Sequence, residues 1–165
     1  MAHVTLLQYD ADGFQFPTSS APGRDIVQNR PFVAFDAGAV ETCFTKPAAM
    51  PGQYAGGTLK ASLGYVMASA TSGKVDFEVS VEAVSDGDTV DLDATTSFDT
   101  LNAGNVTVPA TAGHIDVLTI TLTNKDSVAA GDLITFKLER DADDATDDTA
   151  SGDARVLWLE IWEET

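Results

Sequence analysis

The chain has 165 residues, with 26 acidic against 9 basic side chains and a formal net charge of −17. That length holds one domain, or one domain plus an arm. The charge argues against a nucleic-acid surface, which needs clustered Lys and Arg to neutralise phosphate, and against an anionic membrane surface. Cys43 is the only cysteine, so no internal disulfide forms, and two distant histidines beside it give no zinc ligand set. No run approaches the roughly 20 apolar residues of a membrane helix. Residues 1–9 lack the basic start and long apolar stretch of a secretory signal, so the chain is expected to be made in the cytoplasm.

Residues 1–30 read differently from the rest. Phe14, Phe16 and Pro17 run into Thr18-Ser19-Ser20-Ala21-Pro22-Gly23, a cluster of breakers that favours loop. The segment is expected to be an extended N-terminal arm anchored by Leu6, Tyr9, Phe14 and Phe16, and it carries two of the four arginines, Arg24 and Arg30.

From Pro31 onward, apolar and polar residues alternate in short runs cut by Gly, Asp, Asn and Thr. A period of two buries one face of each run and wets the other. Phe32–Asp36 and Val40–Thr45 come first, the latter holding Cys43 as a small half-buried side chain. A loop through Tyr54 and Gly56-Gly57 follows. Thr58–Ala68 places Leu59, Ala61, Leu63, Tyr65 and Met67 on one face. Lys74–Val84 is the cleanest run, with Val75, Phe77, Val79 and Val81 inward and Asp76, Glu78, Ser80 and Glu82 outward. An acidic loop over 86–99 precedes a short edge strand at Asn105–Val108. His114–Thr123 and Leu133–Arg140 each bury three apolar residues, a second acidic loop spans 141–153, and Ala154–Glu163 closes the chain. Together these predict an all-β fold: a single jelly-roll-like antiparallel β-sandwich of about eight strands over residues 31–165, with the arm at 1–30.

Catalytic chemistry finds little footing. No Gly-x-Ser-x-Gly elbow, phosphate loop or dinucleotide fingerprint is present, so the chain reads as a binding or structural protein. Hard oxygen ligands are concentrated in Asp86–Asp93 and in Asp141–Asp148, and Ca²⁺ takes six to eight such oxygens. Neither run follows the EF-hand pattern. Solvated loops are the plain reading, and Asp141, Asp143, Asp144 and Asp147 are the candidate ligands for a structural Ca²⁺. No other cofactor is expected.

The last strand carries an anomaly. Leu157, Leu159 and Ile161 share one face, and Val156, Trp158, Glu160 and Trp162 share the other. A half-buried strand should be polar on its second face, so something covers the two tryptophans or they bind something. The arm, a partner subunit and a sugar are the three candidates. Leu6, Tyr9, Phe14, Phe16, Arg24, Arg30, Trp158 and Trp162 form the expected partner interface.

Several turn-and-strand motifs resemble those of small tailed-phage virion proteins. They are Pro31-Phe32-Val33-Ala34-Phe35-Asp36, Tyr54-Ala55-Gly56-Gly57-Thr58-Leu59, Ala70-Thr71-Ser72-Gly73, Ala129-Ala130-Gly131-Asp132, the Arg140–Asp147 run and Gly152-Asp153-Ala154. The resemblance covers roughly residues 31–163. It implies a β-sandwich structural protein of the virion, located on the capsid exterior, that decorates and cements the shell. Its partners would be the major capsid protein and other copies of itself, as a dimer or trimer. The alternative is a head or tail fibre module that recognises host glycan through Trp158, Trp162 or Tyr54.

Overall fold

The computed structural model describes all 165 residues. Its organising element is the strand β8 (Lys74–Val84), whose Val75, Phe77, Val79 and Val81 are fully buried. β8 lies in one of two six-stranded antiparallel sheets, and together the sheets form a jelly-roll β-sandwich. The second sheet runs β2 (Phe14–Gln15), β5 (Glu41–Thr45), β11 (Leu133–Arg140), β8 and β9 (Asn102–Thr107), with β6 (Ala48–Ala49) pairing the start of β11. The first sheet runs β10 (Ile115–Thr121), β7 (Thr58–Met67), β12 (Ala154–Glu164), β4 (Arg30–Phe35) and β3 (Gly23–Val27). The far edge of β12 is shared: β4 takes residues 154–156, and β1 (His3–Asp10) takes 158–164. There are twelve strands where the sequence suggested about eight, because several are two to six residues long and too short to show a period.

The core is apolar layer on apolar layer. Phe35 and Tyr65 of the first sheet meet Phe77 of the second edge to face, with ring centroids 5.4 and 6.3 Å apart. Burying each such side chain contributes roughly 1.5–3 kcal/mol. Cys43 is fully buried rather than half-buried, and burial, reinforced by Glu41, pushes its thiol far above the ordinary range. That is the setting of an inert packing residue.

Residues 1–30 are part of the sandwich, not an arm beside it. β1 and β3 extend the first sheet, and β2 borders the second. A single 3-10 turn, Ala11–Gly13, carries the chain from one sheet to the other, capped by the Asp10 carboxylate accepting from the backbone of Asp12 and Gly13. Leu6, Tyr9 and Phe14 belong to the shared core. Gly and Pro in this segment punctuate short strands, and a bulge between Thr5 and Leu7 breaks the alternation that would have revealed β1. The chain ends meet side by side: the backbone N–H of Ala2 donates to the Thr165 carbonyl at 2.7 Å, and that of Thr165 donates back at 3.1 Å.

The similar turns Thr71-Ser72-Gly73 and Thr111-Ala112-Gly113 both place glycine in the left-handed region, at φ 92° and 78°. Their likeness is shared turn chemistry.

On the outer side of β8, Asp76, Glu78, Ser80 and Glu82 point away from the core as expected, yet all four are buried. Two loops close over them. In one, the Ser97 backbone N–H donates to Glu82 at 2.6 Å. In the other, Asp148 accepts from the Asp76 backbone N–H at 3.1 Å, and Thr149 and Ala150 both donate to the Lys74 carbonyl at 2.9 Å. The second loop is held by Arg140, which is 0% exposed and spends all five of its N–H groups. Its Nε and Nη2 donate to the Asp148 carboxylate at 2.8 Å each, and the rest go to the carbonyls of Phe35, Ala150 and Gly152.

Candidate functional site

The outer face of the first sheet is shaped by a β-bulge. Val156 pairs with Tyr65 and Trp158 with Gly64, so Leu157 is an extra residue in β12, at the point where its far edge passes from β4 to β1. The bulge resets the alternation. Val156, Leu159 and Ile161 are fully buried, while Leu157 and Trp158 both stand on the outer face with Glu160 and Trp162. The unbroken alternation expected from the sequence, with Leu157 beside Leu159, is corrected accordingly.

Trp158 lies flat on β7. A Cβ at Gly64 would come within 2.2 Å of the indole, so only glycine lets the ring lie there. Trp162 is engaged within the chain. His3 stacks on it with centroids 4.0 Å apart and planes 8° apart, the Lys60 ammonium sits 5.1 Å from its centroid, and its Nε1 donates to the Ser62 hydroxyl at 2.9 Å. His3 and Lys60 approach from the strands on either side of β12. His3 also meets Glu160 at 2.9 Å, and Thr5 donates to the same oxygen at 2.5 Å. Tyr54 is buried, with its hydroxyl accepting from Lys125 at 2.8 Å. Of the three aromatic side chains expected as a sugar platform, only Trp158 keeps an outward position without stacked neighbours.

Next to it, the same face opens into a groove of about 640 Å³. One wall is the β3–β4 hairpin turn, where Gln28 and Asn29 both take the left-handed conformation at φ 51° and 63° that a two-residue turn demands. The other wall is the entry to β10 at His114 and Ile115. Phe32, Val66 and Leu157 give an apolar floor, and Arg30, Arg155 and Gln28 supply donors at its rim. In a chain of net charge −17, no carboxylate lines this groove. The Arg155 Nη2 pairs with Asp25 at 2.9 Å, while its buried Nε has no hydrogen-bond partner. An apolar floor with a few convergent donors is the usual make-up of a small-ligand site.

The remaining expected interface residues serve the chain itself. Leu6, Tyr9 and Phe14 are in the core, and Phe16 packs against it beneath the Arg24 guanidinium, 5.1 Å from the ring centroid. Arg24 also bridges to Asp12 at 2.8 Å. Arg30 reaches the groove. Its other lining residues, above all Phe32, Arg155 and His114, were not singled out in the sequence. The one available signal was Arg155, the only basic residue of the last strand.

The four expected Ca²⁺ ligands separate. Asp143 is exposed. Asp144 folds back on its own turn, accepting from the backbone of Thr146 and Asp147, and those bonds hold its carboxyl below the ordinary range. Asp147 pairs with Lys74 at 3.1 Å. Of the four, only Asp141 brings an oxygen within 4.8 Å of two other carboxylates, those of Asp76 and Glu78 on β8. The 86–93 run consists of exposed turns capped by their own side chains, such as Asp91 accepting from the Asp93 backbone N–H.

No protein-family model matches the chain, and no curated protein matches it. Among solved structures, it is similar to the CBM22-1 and GH10 modules of the Clostridium thermocellum endo-1,4-β-D-xylanase 10B, solved with xylohexaose, at 11% identity and a TM-score of 0.48. That match covers 99% of this chain and 28% of the other, so the chain spans under a third of that structure. It is similar to the C-terminal CBM6 of LamC from Zobellia galactanivorans at 14% identity and a TM-score of 0.47, over 94% and 97% of the two chains. A carbohydrate-binding module of the Cellvibrio mixtus lichenase 5A, solved with cellotriose, gives 15% identity and a TM-score of 0.46, over 98% of each. The chain's own paired six-stranded sheets define it as a jelly-roll β-sandwich.

Proposed function

We propose that this chain is a non-catalytic module that recognises a glycan on the outer face of its first sheet. The observation that carries the reading is the groove of about 640 Å³ with an apolar floor and a guanidinium rim, continued along the sheet by Trp158 on Gly64. A sugar ring is amphipathic. Its C–H face packs on indole and aliphatic surface, and its hydroxyls take planar donors such as Arg and Gln. Arg30 and Arg155, in a lining with no carboxylate, favour a sugar that itself carries a carboxylate.

The test is calorimetry of the full chain against soluble neutral and uronate-bearing polysaccharides. Trp158→Ala and Arg155→Gln should each weaken binding about tenfold, the equivalent of about 1.4 kcal/mol, with melting temperatures close to that of the parent. Absence of heat with every polysaccharide at millimolar sugar defeats the reading.

Shell decoration is the second reading. It rests on the motif resemblance and on Ile115 and Val117, which are 60% and 46% exposed on the edge strand β10 and offer apolar area to a capsid subunit or a second copy. It no longer draws on the N-terminal segment, whose apolar anchors pack in their own core. Co-sedimentation with capsids that lack the chain supports it, and failure to pellet with them counts against it.

A further inference from the structure

The carboxylates of Asp76 and Glu78 on β8 and of Asp141 at the end of β11 each bring an oxygen within 4.8 Å of the other two. Asp76 is 4% exposed, and its Oδ1 is buried with no hydrogen-bond partner. Glu78 is buried beside it. Placing charge in such a position is costly unless a counter-charge is supplied.

The protein's own cations are committed elsewhere. Lys74 bridges to Asp147 at 3.1 Å, Lys137 lies 3.8 Å from Glu139, and the Arg140 guanidinium is spent on Asp148 and three carbonyls. None of the three clustered carboxylates has an ion-pair partner. Desolvation, with the neighbouring carboxylates behind it, pushes Asp76 up to about 6 and Glu78 to about 7.

We propose that Asp76, Glu78 and Asp141 bind one Ca²⁺ ion, which ties the start of the 141–153 loop to the outer side of β8. The ligand chemistry selects the ion class. All three donors are hard oxygens, with no imidazole or thiolate, which suits Ca²⁺ over zinc or copper. Ca–O bonds of about 2.4 Å allow two oxygens on opposite sides of one ion to stand about 4.8 Å apart, and the cluster lies within that span. Water completes the coordination on the side of Asp141, which is only partly buried. The sequence concealed the site because two of its ligands sit at positions where period two predicts solvent.

The experiment is calorimetric titration of the EDTA-stripped full chain with CaCl₂ in 0.15 M NaCl, paired with thermal melts. One Ca²⁺ per chain should bind, and the melting temperature should rise with Ca²⁺ concentration. Asp141→Asn and Asp76→Asn should each weaken binding at least about tenfold, as loss of a charged ligand does. Both variants should melt no lower than the parent in EDTA, since each removes a charge from a crowded cluster. Asp143→Asn, a change of the same charge at an exposed position, should leave binding unchanged. Absence of saturable binding up to 10 mM CaCl₂ overturns the proposal. So does an equal loss in Asp143→Asn and Asp141→Asn, which marks a diffuse ion atmosphere.

Discussion

Replacing Arg140 with Met tests how the 141–153 loop is held. The guanidinium is fully buried and makes five hydrogen bonds, two of them to the Asp148 carboxylate at 2.8 Å and three to the carbonyls of Phe35, Ala150 and Gly152. Methionine fills much of the volume and satisfies none of these acceptors. Asp148 is left as a buried carboxylate with no cation, and removing one partner of a buried pair costs about 3–5 kcal/mol. For a chain of this size each kcal/mol lowers the melting temperature by about 2–4 °C, so the expected drop is roughly 6–20 °C. Urea unfolding followed by the fluorescence of Trp158 and Trp162 gives the free energy directly, and an unchanged denaturant slope shows that the unfolded reference has not moved. Arg140→Lys should recover only part of the loss, because an ammonium cannot present a planar fork to Asp148. The double variant Arg140→Met, Asp148→Leu should be more stable than Arg140→Met alone, since it removes the stranded charge. A loss under about 1 kcal/mol for Arg140→Met, or a double variant no better than the single, refutes the reasoning.

Two further outcomes follow from the same geometry. Gly64→Ala sets a Cβ 2.2 Å from the Trp158 indole, so the ring must swing off β7. A red shift in tryptophan emission and a loss of glycan affinity comparable with that of Trp158→Ala are expected; unchanged emission would show that the ring does not rest on that glycine. The second outcome concerns pH in the presence of EDTA. Asp76 and Glu78 titrate at about 6 and about 7 in the fold, against ordinary values of 3.8 and 4.5. Between those pairs of values the native state binds more protons than the unfolded chain, so these two groups make stability fall as pH rises. The groups that face them are Asp141, Asp144, Asp147, Asp148 and Glu139, with Lys74, Lys137 and Arg140 paired within that set. Melting temperatures in EDTA should therefore be higher near pH 5.5 than near pH 8, and saturating Ca²⁺ should close most of that gap. A rise in stability with pH in EDTA contradicts the assignment.

The sandwich was legible wherever alternation ran unbroken. β8 declared its buried face residue by residue, as did β7, because a strand covered on one side needs no more than period two to be read. Reading failed where a local device broke the period. The extra residue Leu157 moved Leu157 itself to the outer face and Val156 to the core. The Thr5/Leu7 irregularity hid β1 in what looked like an arm. Burial on the outer side of β8 was invisible for another reason: the loops that cover Asp76 and Glu78 come from 60 or more residues along the chain, or fold back over the strand, and no local pattern announces them. In the second acidic run the sequence offered Asp141, Asp143, Asp144 and Asp147 as ligands, whereas in the fold only Asp141 of the four brings an oxygen within 4.8 Å of two other carboxylates, both on a distant strand. The groove is assembled from β3, β4, β7, β10 and β12, and such a convergence has no signature in any one segment.

The meeting of Ala2 and Thr165 has a mechanical meaning. β1 and β12 run antiparallel with the first residue of one beside the last of the other, so tension applied through the two termini loads their ladder at a single rung. The rungs then break in succession, each at the cost of a bond or two, instead of all resisting together as they would under shear. A molecule strained this way peels at low force, starting from its own seam, even though the interior behind that seam is fully packed.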